Sequence, residues 1–372
     1  MIDRIWPRRG PYASRISATL ASGALIALLG LGAPSASAQP ARTESPEVQA
    51  HVARATALAG ADLKTPLFLC RADSGLVVRD AMEHGSGQWL PPTKLFDNLF
   101  YIGDGFVGVL VVKTSQGLIL FDSTTSAENA ETHLVPGLIA LGLDPKTIRY
   151  VIITHGHWDH FGGAAWLQAT YGARIGLSQA DWDMIETAPD NAPGTGGHAK
   201  PKRDMVVRDG QILTLGDTTI SFYLTPGHTP APISAIIPAR EGGKTYPISL
   251  LGSVAFPPSL EPTATTGGLL AYDRSIRRFA GISQKAGAQG YFNTHAFADG
   301  SLDRLQLARS RAPGAPNPFL VGPETTGRYY ALFDECLKAA IARPHALDDK
   351  DKPTVPVHPS TGTASPSAAQ SK

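Results

Sequence analysis

Between Thr154 and Gly163 the chain reads Thr154-His155-Gly156-His157-Trp158-Asp159-His160-Phe161-Gly162-Gly163, directly after the apolar segment Tyr150 to Ile153. Eleven histidines spread over 372 residues would not by chance place three within six positions. Neutral imidazole and carboxylate are ligand types that suit Zn²⁺, and a loop leaving a strand can fold His155, His157, Asp159 and His160 toward one point. In extended chain His155 and His157 project the same way, while Asp159 and His160 turn toward a second position as a helix begins. Two adjacent metal ions therefore fit the run better than one. The competing reading, a polar loop rich in histidine, leaves the preceding strand, the two glycines and two distant histidines unexplained.

The elements that must position this run can be followed along the chain. Asn98 to Ile102, Phe106 to Lys113 and Gly117 to Asp122 read as an antiparallel meander, broken at Gly103-Asp104-Gly105 and Ser115-Gln116-Gly117. Ala127 to Leu143 has helical periodicity, and Ile148 to Thr154 is a short buried strand. Helices are expected over Ala164 to Tyr171 and Gln179 to Thr187, with a strand over Arg174 to Leu177 between them. Strands resume at Gln211 to Thr214, Thr219 to Leu224, Ile233 to Ile237 and Tyr246 to Leu251. A helix from Asp273 to Ala286, a last strand from Tyr291 to Thr294 and a helix from Glu324 to Ala342 complete the pattern. Strands alternating with helices in two successive halves predict an α/β protein, two sheets covered by helices in an αββα sandwich. Pro189 to Arg203, with three prolines and three glycines, is either a lid near the metal run or a solvated connection.

Each of two further histidines follows a predicted strand. His228 lies in Thr225-Pro226-Gly227-His228-Thr229-Pro230, and His295 lies in Thr294-His295-Ala296-Phe297. Strand ends gather on one edge when sheets stack, which can bring residues 155, 228 and 295 together. His51, His84, His133, His198, His345 and His358 read as surface histidines, although His198 falls in the candidate lid.

Composition narrows the remaining classes. With 42% apolar residues the core is ample, and a net charge of +1 without a basic stripe argues against a nucleic-acid partner. Residues 1–38 read as an export signal. Arg4, Arg8, Arg9 and Arg15 form a positive region, Leu20 to Leu31 an apolar one, and Ala36-Ser37-Ala38 a cleavage site before Gln39. An uncleaved anchor over Ile16 to Ala33 is the alternative, but its serines and glycines make it a poor span, so no membrane span is expected in the mature chain. Arg8-Arg9 is followed by Gly10-Pro11, which departs from a twin-arginine signal. Export would place the domain in the periplasm or outside the cell, where Cys70 and Cys336 could pair, two separate buried thiols being the alternative. The expected organisation is a signal at 1–38, an extension packing on the domain at 39–94, the domain at 95–343 and a disordered tail at 344–372.

The order His-X-His-X-Asp-His, then Pro-Gly-His-Thr-Pro, then a late Thr-His closely resembles the metallo-β-lactamase-fold hydrolases, and within them subclass B3. The resemblance covers residues 95 to 340. It implies two zinc ions per chain, one held by His155, His157 and His228 and the other by Asp159, His160 and His295. His160 as a ligand marks the B3 branch, since other β-lactamase branches use a cysteine there and none lies near these loops. Glyoxalase-type members bridge both metals with an aspartate where this chain has Leu251-Gly252-Ser253. By resemblance Ser253 would hydrogen-bond near the second metal, a simple turn serine being the alternative. Asp122 resembles a structural acid that orients the loop, and Trp158 either walls the substrate pocket or packs inward. Pro230-Ala231 and Ala296 depart from the family pattern and bear on backbone stiffness more than on ligand identity.

The implied activity is hydrolysis of a small-molecule cyclic amide, β-lactam ring opening first, by zinc-bound hydroxide, with Asp159 both binding metal and orienting the nucleophile. The alternatives are a hydrolase of the same fold acting on lactones, esters or other small carbonyl compounds, and a zinc-binding protein without catalysis. The sequence carries no Gly-X-Ser-X-Gly nucleophile motif. Oligomeric state is not legible from the sequence.

Overall fold

The computed structural model describes residues 44–189, 192, 194–195, 197–256 and 266–343. The expected signal at 1–38, the tail at 344–372, and His345 and His358 lie outside the described residues.

Among the described residues twelve strands form two sheets. The larger runs in chain order: β1 (Thr93–Lys94), β2 (Leu99–Gly103), β3 (Gly108–Thr114), β4 (Gly117–Phe121), β5 (Ile148–Ile152), β6 (Arg174–Ser178) and β7 (Met205–Val207). Its first half is the antiparallel meander, whereas β4 to β7 are parallel. The smaller sheet has the order β12-β11-β10-β9-β8, built from β8 (Ile212–Leu215), β9 (Thr218–Leu224), β10 (Ile233–Glu241), β11 (Lys244–Leu250) and β12 (Tyr291–Phe292). The helices are α1 (Pro46–Ala59), α2 (Ser74–Gly85), α3 (Ala127–Asn129), α4 (Val135–Ala140), α5 (Trp158–Phe161), α6 (Ala164–Tyr171), α7 (Gln179–Thr187), α8 (Thr266–Lys285), α9 (Ser301–Arg309) and α10 (Gly322–Ile341).

Period-two alternation along the strands builds the layers. Leu110 and Val112 of β3, with Ile119 and Phe121 of β4, face Ile220, Phe222, Ile233, Ala235 and Leu250 of the other sheet in a central core. The intervening residues Val109, Val111, Leu118 and Leu120 turn outward onto Leu134, Leu138, Phe161, Leu167, Trp182 and Ile185 from the helices on that side. On the opposite outer face Leu251 and Tyr291 pack with Tyr272, Ile276 and Phe279 of α8 and Tyr329, Tyr330 and Phe333 of α10. Both faces of each sheet are thus covered, which is why strands such as β2 and β4 read as continuous apolar runs. The architecture is the αββα sandwich.

Several elements differ from the expected pattern. The expected helix over 127–143 is interrupted by a π-helical turn at Ala130–Leu134 between α3 and α4. Pro136 stands in the first turn of α4 and lacks the N–H that an unbroken α-helix would use, so the ladder shifts there. Strand β1 draws the end of segment 39–94 into the larger sheet, while α1 and the 3₁₀ turn Thr65–Cys70 supply Ala55, Ala59 and Leu69 to the α8 and α10 side. Cys70 and Cys336 form a disulfide that joins this 3₁₀ turn to α10. No helix among the described residues is long and apolar enough to cross a membrane.

Topology places the chemistry on one edge. Strands β4 and β5 are parallel, and β9 and β11 both run antiparallel to β10 with β12 parallel to β11. The C-terminal ends of each set therefore open the same way, the usual position for a site in layered α/β proteins. Two backbone bonds stitch the sheets at this edge, Ile233 N–H to the Thr154 carbonyl at 2.7 Å and Gly108 N–H to the Thr294 carbonyl at 2.9 Å.

Candidate metal centre

The loop after β5 delivers His155 and His157, and α5 begins immediately with Trp158, so that Asp159 and His160 ride on its first turn. Loops after β9 and β12 bring His228 and His295 to the same place. Two groups of three result, His155 with His157 and His228, and Asp159 with His160 and His295, each with its candidate ligand atoms within 4.8 Å of one another. The rings of His155 and His160 lie 3.9 Å apart, so the two groups are adjacent.

The donor atoms fit a metal ion. His160 Nε2 is 3.1 Å from His295 Nε2, and these atoms are 3.4 and 3.5 Å from Asp159 Oδ2. A tetrahedral zinc with bonds of about 2.0–2.1 Å needs donors about 3.3 Å apart. In the other group His157 Nδ1 is 3.1 Å from His228 Nε2, and His155 Nε2 is buried with no hydrogen-bond partner. A buried ring nitrogen without a partner carries a desolvation cost that an ion would remove.

Neighbouring groups fix which nitrogen faces inward on three of the rings. His155 Nδ1 lies 2.9 Å from the Gly252 carbonyl, and His295 Nδ1 lies 2.9 Å from the Phe106 carbonyl. His160 Nδ1 is held by Asp122 Oδ2 at 2.7 Å. Each contact places the ring hydrogen on Nδ1 and turns the Nε2 lone pair toward the centre. Asp122 also accepts from the Thr154 backbone at 2.7 Å and the Thr154 hydroxyl at 3.0 Å, so it grips the metal loop and binds inside neither triad.

The Asp122 loop is backbone under tension. Asp122 and Thr124 adopt φ of 68° and 69°, a region that costs residues other than glycine on the order of 1–3 kcal/mol. Ser123 compensates by donating its N–H and hydroxyl to the His160 carbonyl at 2.8 and 2.7 Å. Gly162 and Gly163 make the approach possible. A Cβ at either position would overlap the carbonyl oxygen of Thr125 or Ser123.

Charge divides the two groups. Without metal, burial and the neighbouring imidazoles hold His155 and His228 well below the ordinary histidine range, and burial with His160 brings His295 down to about 4. His160 is the exception, because the Asp159 and Asp122 carboxylates outweigh its burial and raise it to about 10. Asp159 is held well below the usual carboxylate range, burial opposing and the His160 charge prevailing.

The remaining candidates fall out as follows. The Ser253 hydroxyl lies 3.1 Å from the Tyr272 hydroxyl of α8, which in turn donates to the Ser253 carbonyl at 2.9 Å. It is the neighbouring Gly252 carbonyl, rather than the Ser253 hydroxyl, that supports a candidate ligand. Trp158 is half-buried and stacks on His198 from the 189–203 segment, with centroids 5.2 Å apart, and its backbone N–H donates to the Gly194 carbonyl at 2.8 Å. Several supporting groups carry no signal in the sequence reading above. Asp181 of α7 is buried and accepts from Gly156, Thr229 and Ala231, burial pushing its carboxyl up against those three donors. Asn293 Oδ1 accepts from the His295 backbone at 2.8 Å, and Asp299 holds Asn293 in turn at 2.9 Å.

The model of one family, the metallo-beta-lactamase superfamily, matches residues 102–243, the stretch that contains five of the six candidate ligands. Residues 102–243 thus match a metallo-beta-lactamase domain, and solved structures of that fold are similar to the chain. Solved structures similar to it include a subclass B3 metallo-beta-lactamase of Bradyrhizobium japonicum, at 27% identity, with 66% of this chain and 92% of that one covered and a TM-score of 0.55. A metallo-beta-lactamase of Cronobacter sakazakii is similar at 26% identity, 66% and 91% coverage and a TM-score of 0.54. Among curated relatives, the hydroxyacylglutathione hydrolase of Methylobacterium nodulans is 30% identical over 114 residues, 30% of this chain and 39% of that protein. The match to the enzyme of the same name from Rhodopseudomonas palustris, 29% identical, covers 32% of this chain and 41% of that protein. The chain thus spans well under half the length of these curated relatives. A metallo-beta-lactamase domain implies a metal-dependent hydrolase, and the two groups of three are residues that could hold a metal ion.

Proposed function

We propose that the chain is an exported dizinc hydrolase that opens the ring of β-lactams. The observation that carries this reading is the composition of the second group, Asp159 with His160 and His295, which contains no cysteine and a single carboxylate. Likeness to the solved subclass B3 enzyme of Bradyrhizobium japonicum, at 27% identity, supports the same choice.

When bound, two zinc ions supply Lewis acidity and bring the pKa of water toward neutrality. His155, His157 and His228 would hold one ion, and Asp159, His160 and His295 the other. Asp159 stays ionised beside His160 and can accept a hydrogen bond from an attacking water. Asp122 keeps the His160 ring hydrogen on Nδ1, so that Nε2 remains a donor throughout the cycle. The burial of His155, Asp159 and His160 lowers the local dielectric around the ions they would hold and so strengthens the charges there. No side-chain nucleophile is required, and the two cysteines are joined to each other.

A second reading, hydrolysis of esters, lactones or a hydroxyacylglutathione, is favoured by the names of the curated relatives. Against it stands Leu251-Gly252-Ser253, where the glyoxalase-type pattern needs an acid. One panel separates the two: purified protein with zinc is offered penicillins, carbapenems, lactones, esters and a hydroxyacylglutathione. Opening of a β-lactam that EDTA abolishes and zinc restores is the expected result, and turnover of the other substrates alone selects the second reading. Export is tested by sequencing the N-terminus of secreted protein, which should begin at Gln39.

A further inference from the structure

Asp181 lies in neither metal group, yet its carboxylate touches both chain segments that form the first. Oδ2 accepts from Gly156 N–H at 2.9 Å and from the Thr229 hydroxyl at 2.6 Å, and Oδ1 accepts from Ala231 N–H at 2.8 Å. Gly156 stands between His155 and His157, and Thr229 follows His228. Asp181 is itself anchored elsewhere. Ser178 caps its N–H at 3.2 Å at the start of α7, and the adjacent Trp182, fully buried, donates its indole N–H to the Met205 carbonyl of β7 at 2.9 Å. The carboxylate is therefore a fixed point on the larger sheet to which two loops, joined elsewhere by the Ile233 to Thr154 backbone bond, are both tied.

We propose that Asp181 is the positioning residue of the His155, His157 and His228 site, setting the spacing between the two loops and hence the metal affinity of that site alone. The second site has its own anchor in Asp122, which holds Thr154 and His160. Two buried aspartates thus divide the work, one per metal. Pre-set donors spend less of the binding free energy on ordering the loops. Removing such a support costs metal sites about 10- to 100-fold in affinity. The inference rests on reading the two triads as metal sites and is independent of the substrate.

The test is a chelator competition with Zn²⁺ or Co²⁺, which needs no turnover. In a His295→Ala background the first site is the intact one, and adding Asp181→Ala should weaken the ion by about 10- to 100-fold. Asp181→Asn should weaken it less, since its amide can keep one acceptor but turns a donor toward Ala231 N–H or toward Gly156 and Thr229. Thr229→Val, which deletes one bond, should weaken it least. In a His228→Ala background, where the second site is intact, the same changes should leave affinity nearly unchanged, and the Co²⁺ absorption band should stay in place. Equal losses in both backgrounds, or no loss in the first, would overturn the proposal. If Asp181→Ala does not fold, Asp181→Asn and Thr229→Val carry the same comparison at conserved volume. A parent protein inactive on β-lactams would sink the proposed function and leave these affinities readable.

Discussion

Around His155, His157 and His228 the Gly252 carbonyl bonds to the His155 ring, and the Asp181 carboxylate ties only the chain beside the rings, through Gly156, Thr229 and Ala231. Around Asp159, His160 and His295 the contacts are charged, since Asp159 is itself a ligand candidate and Asp122 bonds directly to His160. In the first site burial holds His155 and His228 well below the ordinary histidine range, so both rings are ready to accept an ion at neutral pH. The second holds a proton on His160 that an ion must displace. Similar rings set a short distance apart therefore differ in what binding costs, and the difference comes from two carboxylates.

The sharpest way to break this comparison is to remove one ligand from each site. His157→Ala and His160→Ala should each lower hydrolysis by more than about 100-fold, because supporting residues alone carry 10- to 100-fold. Stability should separate them. His160→Ala strips Asp122 of its ring partner and should destabilise the metal-free fold by about 3–5 kcal/mol, as the loss of one partner of a buried pair does. His157→Ala strands no buried charge and should cost clearly less. Denaturant titration with metal analysis reads both effects, and equal destabilisation would end the distinction.

A milder change tests the charge itself. Asp122→Asn keeps the shape but removes the anion, and should weaken the second ion by about 10- to 100-fold while sparing the first. The pH dependence follows from the same proton. His160 is raised from its ordinary value of 6.5 to about 10, so between those values each metal ion bound at the second site releases a proton. Affinity there should rise by about tenfold per pH unit, while His155 and His228 of the first site, already lowered, add no such slope, and in Asp122→Asn the slope should shrink. In the metal-free protein the raised His160 stabilises the fold fully below pH 6.5, and that contribution is lost as pH rises toward 10. Calorimetry in buffers of different ionisation enthalpy and metal-free melting curves check the two signs.

The smallest expected effect on the metals comes from the disulfide. The 3₁₀ turn that it anchors carries Phe68, which packs on Phe297 at 6.1 Å, and Phe297 and Phe106 both flank the His295 ring. Cys336→Ser should cost about 2–4 kcal/mol of stability. Its effect on binding should be slight and confined to the second site, as chelator competition at each site would show.

The His155 to His160 run was legible because all its ligand types sit together after an apolar strand, and the layers were legible because strand alternation and helical periodicity are local signals. Asp181 was not, since an acid in the first turn of a helix is ordinary until the fold brings Gly156 and Thr229 to it. The Gly252 and Phe106 carbonyls are backbone groups, to which side-chain identity gives no clue. Strands β1 and β7, two and three residues long, are too short for periodicity to register, and α9 shows little separation of apolar and polar faces. In the expected helix 127–143 the apolar spacing persists across the π turn, so only Pro136 hinted at the break. Ser253 was assigned by resemblance, and the side chain of Tyr272, far along the chain, decided its contact instead.

The bond between Cys70 and Cys336, 266 positions apart, makes the body of this protein a covalent ring that encloses both sheets and every candidate ligand. A single backbone cut anywhere within that ring opens it without releasing a fragment. A protease acting in the segment between α7 and β7 should thus yield two pieces that migrate as one species until a thiol is added. Nicked protein should keep both halves of the metal centre in register under oxidising conditions and lose them together on reduction.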